Sequence, residues 1–242
     1  MGIKSIEKYD PRLFRAICHR GLHDEASTEN GLDAFRKAID KGLAFELDIH
    51  LTKDGELLVC HDDDLLRTTG KAGIIEELTL AEIKENYRLL DGEIVPSFQE
   101  VLDLNQERVP IVVELKVHDG NYKPLAKKAV EVLKQIKNPK TITLISFDPR
   151  ALLAARKSPF TRGILIYEKR TDIFFTARFF DYLDVQDVLV DHKKTKKWRA
   201  KGKPINVWTI ESKPQLEKVK GYVDMITFQH LNPDDVIKTL EE

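Results

Sequence analysis

The chain has 242 residues, 42% hydrophobic and 33% charged, with a formal net charge of -1. That length suffices for one large buried core, the composition excludes a disordered chain, and the balanced charge gives no basis for a nucleic-acid partner. No stretch reaches the roughly 18 uninterrupted apolar residues of a membrane span, MGIKSIEKYDPRLFRAI lacks a secretory h-region, and two cysteines make no disulfide framework, so a cytoplasmic protein without stable membrane insertion is expected.

In chain order, short β-branched runs recur: FRAIC, AFELDIH, IVVEL, TITLIS, RGILIY, DVLV, PINVWTI and DMITF. Helical patterns separate them, among them NGLDAFRKAIDKG with its glycine stop, YKPLAKKAVEVLKQIK and DPRALLAARKS. Eight alternations in a chain of this length predict an α/β fold, a (β/α)8 TIM barrel rather than an open sheet, as a single domain over 1–242. One interval breaks the rhythm. From Leu51 to Val109 the sequence holds a hairpin, TKDGELLVCHD, turning at Asp54-Gly55, then an RTTGKAG loop and two helix-like pieces. This reads as an insertion over 52–100 at the barrel mouth.

Two further stretches stand out. Phenylalanines 174, 175, 179 and 180 in IFFTARFFDYL are spaced as one helix face, predicting core packing or, failing that, a wall of the substrate mouth. Seven of the eleven residues from Lys193 to Lys203 are Lys or Arg, which reads as a solvated helix face followed by a turn, with an anion-binding patch as the alternative.

Strand alternation locates the chemistry. In AFELDIH, Glu46, Asp48 and His50 share one face while Phe45, Leu47 and Ile49 share the other. Inside a barrel, paired carboxylates are costly without a compensating cation or proton, and oxygen ligands suit Mg2+, Ca2+ or Mn2+ better than zinc. In VVELKVH, Glu114 and Lys116 share a face in the same way. Glu46, Asp48 and Glu114 thus form a candidate hard-cation triad, with Lys116 as a point charge for an anionic group or as a structural ion-pair partner. His19 ends the first strand, at the edge where barrel enzymes place active residues, and is followed by Arg20, able to fork onto a phosphate or carboxylate, and by Gly21, which permits a close turn. His61 lies in the expected hairpin before three aspartates. Cys18 and Cys60 each precede one of these histidines, but neighbouring strand residues face opposite sides, so neither pair easily ligates one ion; both cysteines read as buried small hydrophobes.

Taken in order, HRG at 19–21, EN at 29–30 followed by AF at 34–35, ELD at 46–48, DGELLVCHDDDLLRTT at 54–69, VPSFQEVL from 95, VELK at 113–116, SF at 146–147 and VW at 207–208 resemble the glycerophosphodiester phosphodiesterase family. The resemblance implies a TIM barrel with an insertion after the second strand, cleaving a small-molecule glycerophosphodiester to an alcohol and glycerol 3-phosphate with a divalent cation. It places the metal ligands on Glu46, Asp48 and Glu114 and the acid and base on His19 and His61, in an order the sequence leaves open. It also implies phosphate contacts from Arg20 and Lys116, and Trp208 against the glycerol moiety. The implied nucleophile is the substrate's own glycerol hydroxyl, giving a cyclic phosphate that water opens. Two positions depart from the family pattern: TENG at Thr28 to Gly31 replaces a common Pro-Glu-Asn-Thr but keeps Glu29 and Asn30, and Phe228 stands where an acid is usual. A different set of polar contacts is therefore expected on that side of the pocket. The alternatives are a lysophospholipase D acting on lipid, with the aromatic cluster binding an acyl chain, and a non-catalytic barrel that binds phosphorylated ligands. The sequence is silent on oligomeric state.

Overall fold

Eight short strands form the barrel of this computed structural model: β1 (Ile17–Cys18), β2 (Ala44–Leu51), β4 (Ile111–Leu115), β5 (Ile142–Ser146), β6 (Thr161–Ile166), β7 (Tyr182–Gln186), β8 (Ile205–Ile210) and β9 (Met225–Phe228). The structure describes residues 6–241; the extreme ends of the expected single domain lie outside the described residues. Each strand pairs in parallel with the next, and β1 pairs with both β2 and β9, closing the ring. The remaining strand, β3 (Leu57–Val59), runs antiparallel to β2 as the predicted hairpin, with Gly55 at a positive φ of 80° in its turn.

Around the ring lie α1 (Leu32–Asp40), α4 (Phe98–Asn105), α5 (Tyr122–Val132), α6 (Pro149–Ala154), α7 (Lys193–Arg199), α8 (Lys213–Val219) and α9 (Pro233–Glu241). Their apolar faces meet the outward strand residues, such as Phe45, Leu47 and Ile49, in one continuous layer. Inside the barrel the lower positions are apolar: Ile17, Ala44, Val112, Ile145, Leu165 and Met225 pack with Tyr182, closed from below by Tyr9 and Leu13. Tyr182 fits only because Gly163 faces it across the β6–β7 pairing, where any Cβ would collide with its ring. Chain polarity therefore separates the interior into an apolar lower end and an acidic upper end.

The segment between β2 and α4 carries α2 (Leu66–Thr69) and α3 (Leu80–Asn86) over its own small core of Leu58, Cys60, Leu65, Ile75, Ile83, Tyr87, Leu89 and Val95. Reciprocal capping boxes start α3 (Thr79 with Glu82) and α4 (Ser97 with Glu100), so both helices begin where local hydrogen bonding dictates.

Two local readings are corrected. The seventh strand is Tyr182–Gln186, whereas DVLV at 187–190 begins with a 3-10 turn. The true strand buries Asp184 inside the barrel, and that polar residue interrupts the apolar run by which strands are recognised. The four phenylalanines do not share a helix face: Glu168–Phe179 is a run of 3-10 turns broken at Arg170, leaving Phe174 and Phe180 buried but Phe175 66% and Phe179 49% exposed. The basic stretch does form a surface helix, α7, anchored by buried Thr195 and Trp198.

Candidate active site

Glu46, Asp48 and Glu114 come from β2 and β4, which are neighbours in register with Asp48 opposite Glu114. Their carboxylates are buried, and one oxygen from each lies within 4.8 Å of the others. Cations surround them. Lys116 Nζ lies 3.0 Å from Glu114 and 3.4 Å from Asp48, while Arg20 reaches Asp48 through Nε at 3.4 Å. Asn30 Nδ2 donates to Asp48 at 3.0 Å, and the Arg20 backbone N–H donates to Glu46 at 3.0 Å.

Both Arg20 (φ 54°) and Asn30 (φ 59°) occupy the left-handed region, a conformation costly for residues other than glycine. Gly21 follows at φ 81°, where a Cβ would press on the Ala34 backbone. The His-Arg-Gly turn is thus packed against α1 and presents its side chains to the barrel mouth.

Burial, then repulsion from Asp48 and Glu114, raises the Glu46 carboxyl well above the usual range. Burial raises Glu114 too, with Lys116 opposing. For Asp48 burial also disfavours the charge, but Lys116 and Arg20 outweigh it and hold the carboxyl below its ordinary value. Asp48 Oδ1 is buried and accepts no hydrogen bond, its ion-pair contact being the Lys116 ammonium at 3.4 Å. Three hard oxygen donors, two of them resisting ionisation without a further positive charge, and one carboxylate oxygen met only by a long ammonium contact fit a divalent cation. The donor set contains no sulfur, because Cys18 and Cys60 are free and buried in separate cores.

The histidines approach from opposite sides. His19 Nε2 lies 3.9 Å from Glu46, and its Nδ1 contacts Gln229 Oε1 at 2.5 Å. Gln229 Nε2 donates to the Glu211 carboxylate, which orients the amide so that its oxygen faces the imidazole. His19 Nδ1 therefore carries the proton and Nε2 the lone pair. Burial pushes this imidazole down to about 3, with Arg20 adding to the effect. His61 instead contacts Asp62 through Nδ1 at 2.6 Å, and Asp62 accepts from Arg67 Nε at 2.6 Å. Arg67 continues to Glu29, which also accepts from Arg20 at 2.7 Å. His50 ties down the hairpin: its Nε2 lies 3.2 Å from the carbonyl of His61 and its Nδ1 3.3 Å from Glu76.

A cavity of about 120 Å3 is lined by His19, Arg20, Glu46, His61, Glu114 and Trp208, so six of the eight residues singled out in the sequence share one space. Asp48, 1% exposed, does not line this cavity but lies beside Glu46 and Glu114, which do. Lys116 faces an adjoining groove of about 770 Å3, which His61, Glu114 and Phe147 also line and which Arg150 and Arg170 border. None of the four clustered phenylalanines lines either space. Phe228 packs into the outer core, while its neighbours Thr227 and Gln229 face the site side, so the unusual residue leaves the cavity polar.

Sequence reasoning missed Gln229, Glu211, Asp62, Arg67 and Asp184. Only Asp62 offered a local signal, as the acid directly following His61.

An eight-stranded parallel barrel with acids, cations and two histidines gathered at the C-terminal strand ends defines a TIM-barrel enzyme with a site suited to a phosphate ester. The chain belongs to the glycerophosphoryl diester phosphodiesterase family, whose family model matches residues 19–237, and is accordingly a phosphodiester hydrolase. It is 29% identical over 234 residues to a glycerophosphodiester phosphodiesterase of Caldanaerobacter subterraneus, covering 87% of this chain and 91% of that one. A crystal structure of a glycerophosphodiester phosphodiesterase from Parabacteroides distasonis superposes with a TM-score of 0.78 at 27% identity, covering 94% of this chain and 96% of that one. A lysophospholipase D of Mus musculus shares 34% identity over 138 residues, 52% of this chain and 42% of the relative. Among the described residues no helix is long and apolar enough to cross a membrane.

Proposed function

We propose that this enzyme hydrolyses small glycerophosphodiesters to an alcohol and glycerol 3-phosphate with the aid of a divalent cation, Mg2+, Ca2+ or Mn2+, and acts in the cytoplasm. The observation that carries the reading is the convergence of three buried carboxylates beside a cavity lined by both histidines and Arg20. Glu46, Asp48 and Glu114 would hold the cation. When bound, it supplies charge stabilisation to the phosphate as the transition state forms.

Arg20 and Lys116 neutralise and orient the phosphate oxygens. Arg20 is preset for this by Glu29, and Lys116 by Glu114. His19, with its Nδ1 proton held by Gln229 and its Nε2 lone pair free, takes the proton of the attacking glycerol hydroxyl. His61, whose ring burial holds below the ordinary imidazole range but whose charged form Asp48 and Asp62 support, gives a proton to the departing alcohol. Water then opens the resulting cyclic phosphate with the two histidines in exchanged roles. Trp208 packs against the glycerol carbons.

The lysophospholipase D reading has less support, because the phenylalanines offered as an acyl-chain wall lie outside both cavities. A non-catalytic barrel is disfavoured, since no histidine or carboxylate of the constellation is missing. Glycerol 3-phosphate release from several glycerophosphodiesters, with and without EDTA, tests the assignment. Loss of release in EDTA and recovery on adding back the cation are expected; turnover indifferent to chelator would overturn it.

A further inference from the structure

Below the phosphate-handling groups, the floor of the small cavity carries polar atoms the mechanism leaves unused. Asp184 on β7 and Asn206 on β8 are register partners. Asn206 Nδ2 donates to Asp184 Oδ1 at 2.8 Å and to Thr227 Oγ1 at 2.8 Å. That leaves Asp184 Oδ2 without a partner although the residue is only 1% exposed. Asp184 and Thr227 both line the cavity, and Trp208 Nε1, on a residue of the same lining, is also buried and unpartnered.

A buried carboxyl oxygen without a partner is costly, and linking strands does not require one. The neighbouring strands fill the same region of the cavity with Ile145 and Leu165. The polar floor is thus better explained by a ligand group than by the fold. Burial, opposed by Asn206 and reinforced by Glu114, pushes the Asp184 carboxyl up to about 8, so it is largely neutral at pH 7. With Oδ1 accepting from Asn206, the carboxyl proton belongs on Oδ2, which makes that atom a hydrogen-bond donor.

Resting on the reading that the substrate is a glycerophosphodiester, we infer that Asp184 Oδ2 binds the terminal hydroxyl of the glycerol moiety and selects a free three-carbon polyol over its deoxy and acylated counterparts. The enclosed volume of about 120 Å3 suits a small polyol rather than an acyl ester. Asp184 is then a specificity residue on the side of the cavity away from the leaving alcohol, which the 770 Å3 groove accommodates.

The test compares kcat/KM for glycerophosphocholine, for the same diester built on propane-1,2-diol, and for lysophosphatidylcholine, read as choline release. The propanediol diester keeps the attacking hydroxyl and lacks the terminal one. Wild-type enzyme is expected to favour glycerophosphocholine over it by about tenfold or more, the scale of a buried hydrogen bond left unmade. Asp184→Leu should bring the ratio close to one while retaining turnover of the propanediol diester. Asp184→Asn, which still accepts from Asn206 and offers an N–H, should restore the preference. If the leucine variant does not fold, as judged by thermal melting, Asp184→Ala takes its place.

Active wild-type enzyme with a ratio near one, an unchanged ratio in the apolar variant, or equal hydrolysis of lysophosphatidylcholine would overturn the subsite while leaving the phosphodiesterase reading intact. Wild-type enzyme inactive on all three substrates would overturn that reading, and the subsite with it.

Discussion

The two histidines sit in contrasting surroundings. His19 ends a barrel strand, is 15% exposed, and is oriented by a neutral amide; His61 lies on the hairpin outside the barrel, is 33% exposed, and is oriented by a carboxylate within an Asp62-Arg67-Glu29 chain. Burial disfavours the charged form of both rings, but Arg20 deepens the effect at His19, whereas at His61 Asp48 and the hydrogen-bonded Asp62 oppose it. The two supports differ in charge, a neutral amide oxygen at His19 and a carboxylate at His61. The acid and base roles proposed above follow from this contrast.

Removing either ring tests the contrast most severely. His19→Ala should lower turnover by roughly 1000-fold and His61→Ala by roughly 100-fold, within the range expected for a lost general acid or base. Steady-state kinetics on a glycerophosphodiester measure both, and a His61→Ala enzyme with unchanged turnover would detach the hairpin from the chemistry. Gln229→Leu leaves the His19 ring in place but frees its tautomer, so a loss of about tenfold in kcat with little change in KM is expected, as for other supporting partners of functional histidines.

Asp62→Asn should have a smaller effect on the maximal rate, about threefold to tenfold. Its diagnostic is the pH profile. Without the carboxylate, the His61 imidazolium is less favoured, its pKa falls, and the alkaline limb of the profile moves to lower pH, whereas Gln229→Leu leaves that limb in place. A limb that shifts with Gln229→Leu and not with Asp62→Asn would reverse the proposed roles. At the small end, Cys18→Ser and Cys60→Ser should each cost about 1 to 3 kcal/mol of stability by burying a hydroxyl. Metal content and turnover should stay unchanged, and loss of metal from either variant would reinstate a thiolate ligand.

Much of this was legible from local pattern. Strand alternation put Glu46 and Asp48 on one face of their strand, and Glu114 with Lys116 together in the same way one strand along, because the side-chain period of two is a property of the backbone alone. The eight-fold alternation announced the barrel. The strand that was misread, β7, was hidden by a buried Asp184, and the phenylalanine spacing misled because the segment folds as 3-10 turns rather than an α-helix. In both cases a tertiary requirement overrode the local rule.

What the sequence determined by itself was the barrel, the inward acids, and the histidines at the ends of β1 and the hairpin, each a consequence of short-range periodicity or turn chemistry. Ring closure and side-chain register decided the rest. Closure brings Gln229 to His19 across 210 residues, the Arg67-Glu29 link ties the hairpin to the barrel, and Asp184 meets Asn206 through the β7–β8 pairing. Such contacts depend on how distant strands align around the ring, and no local pattern of residues encodes that alignment.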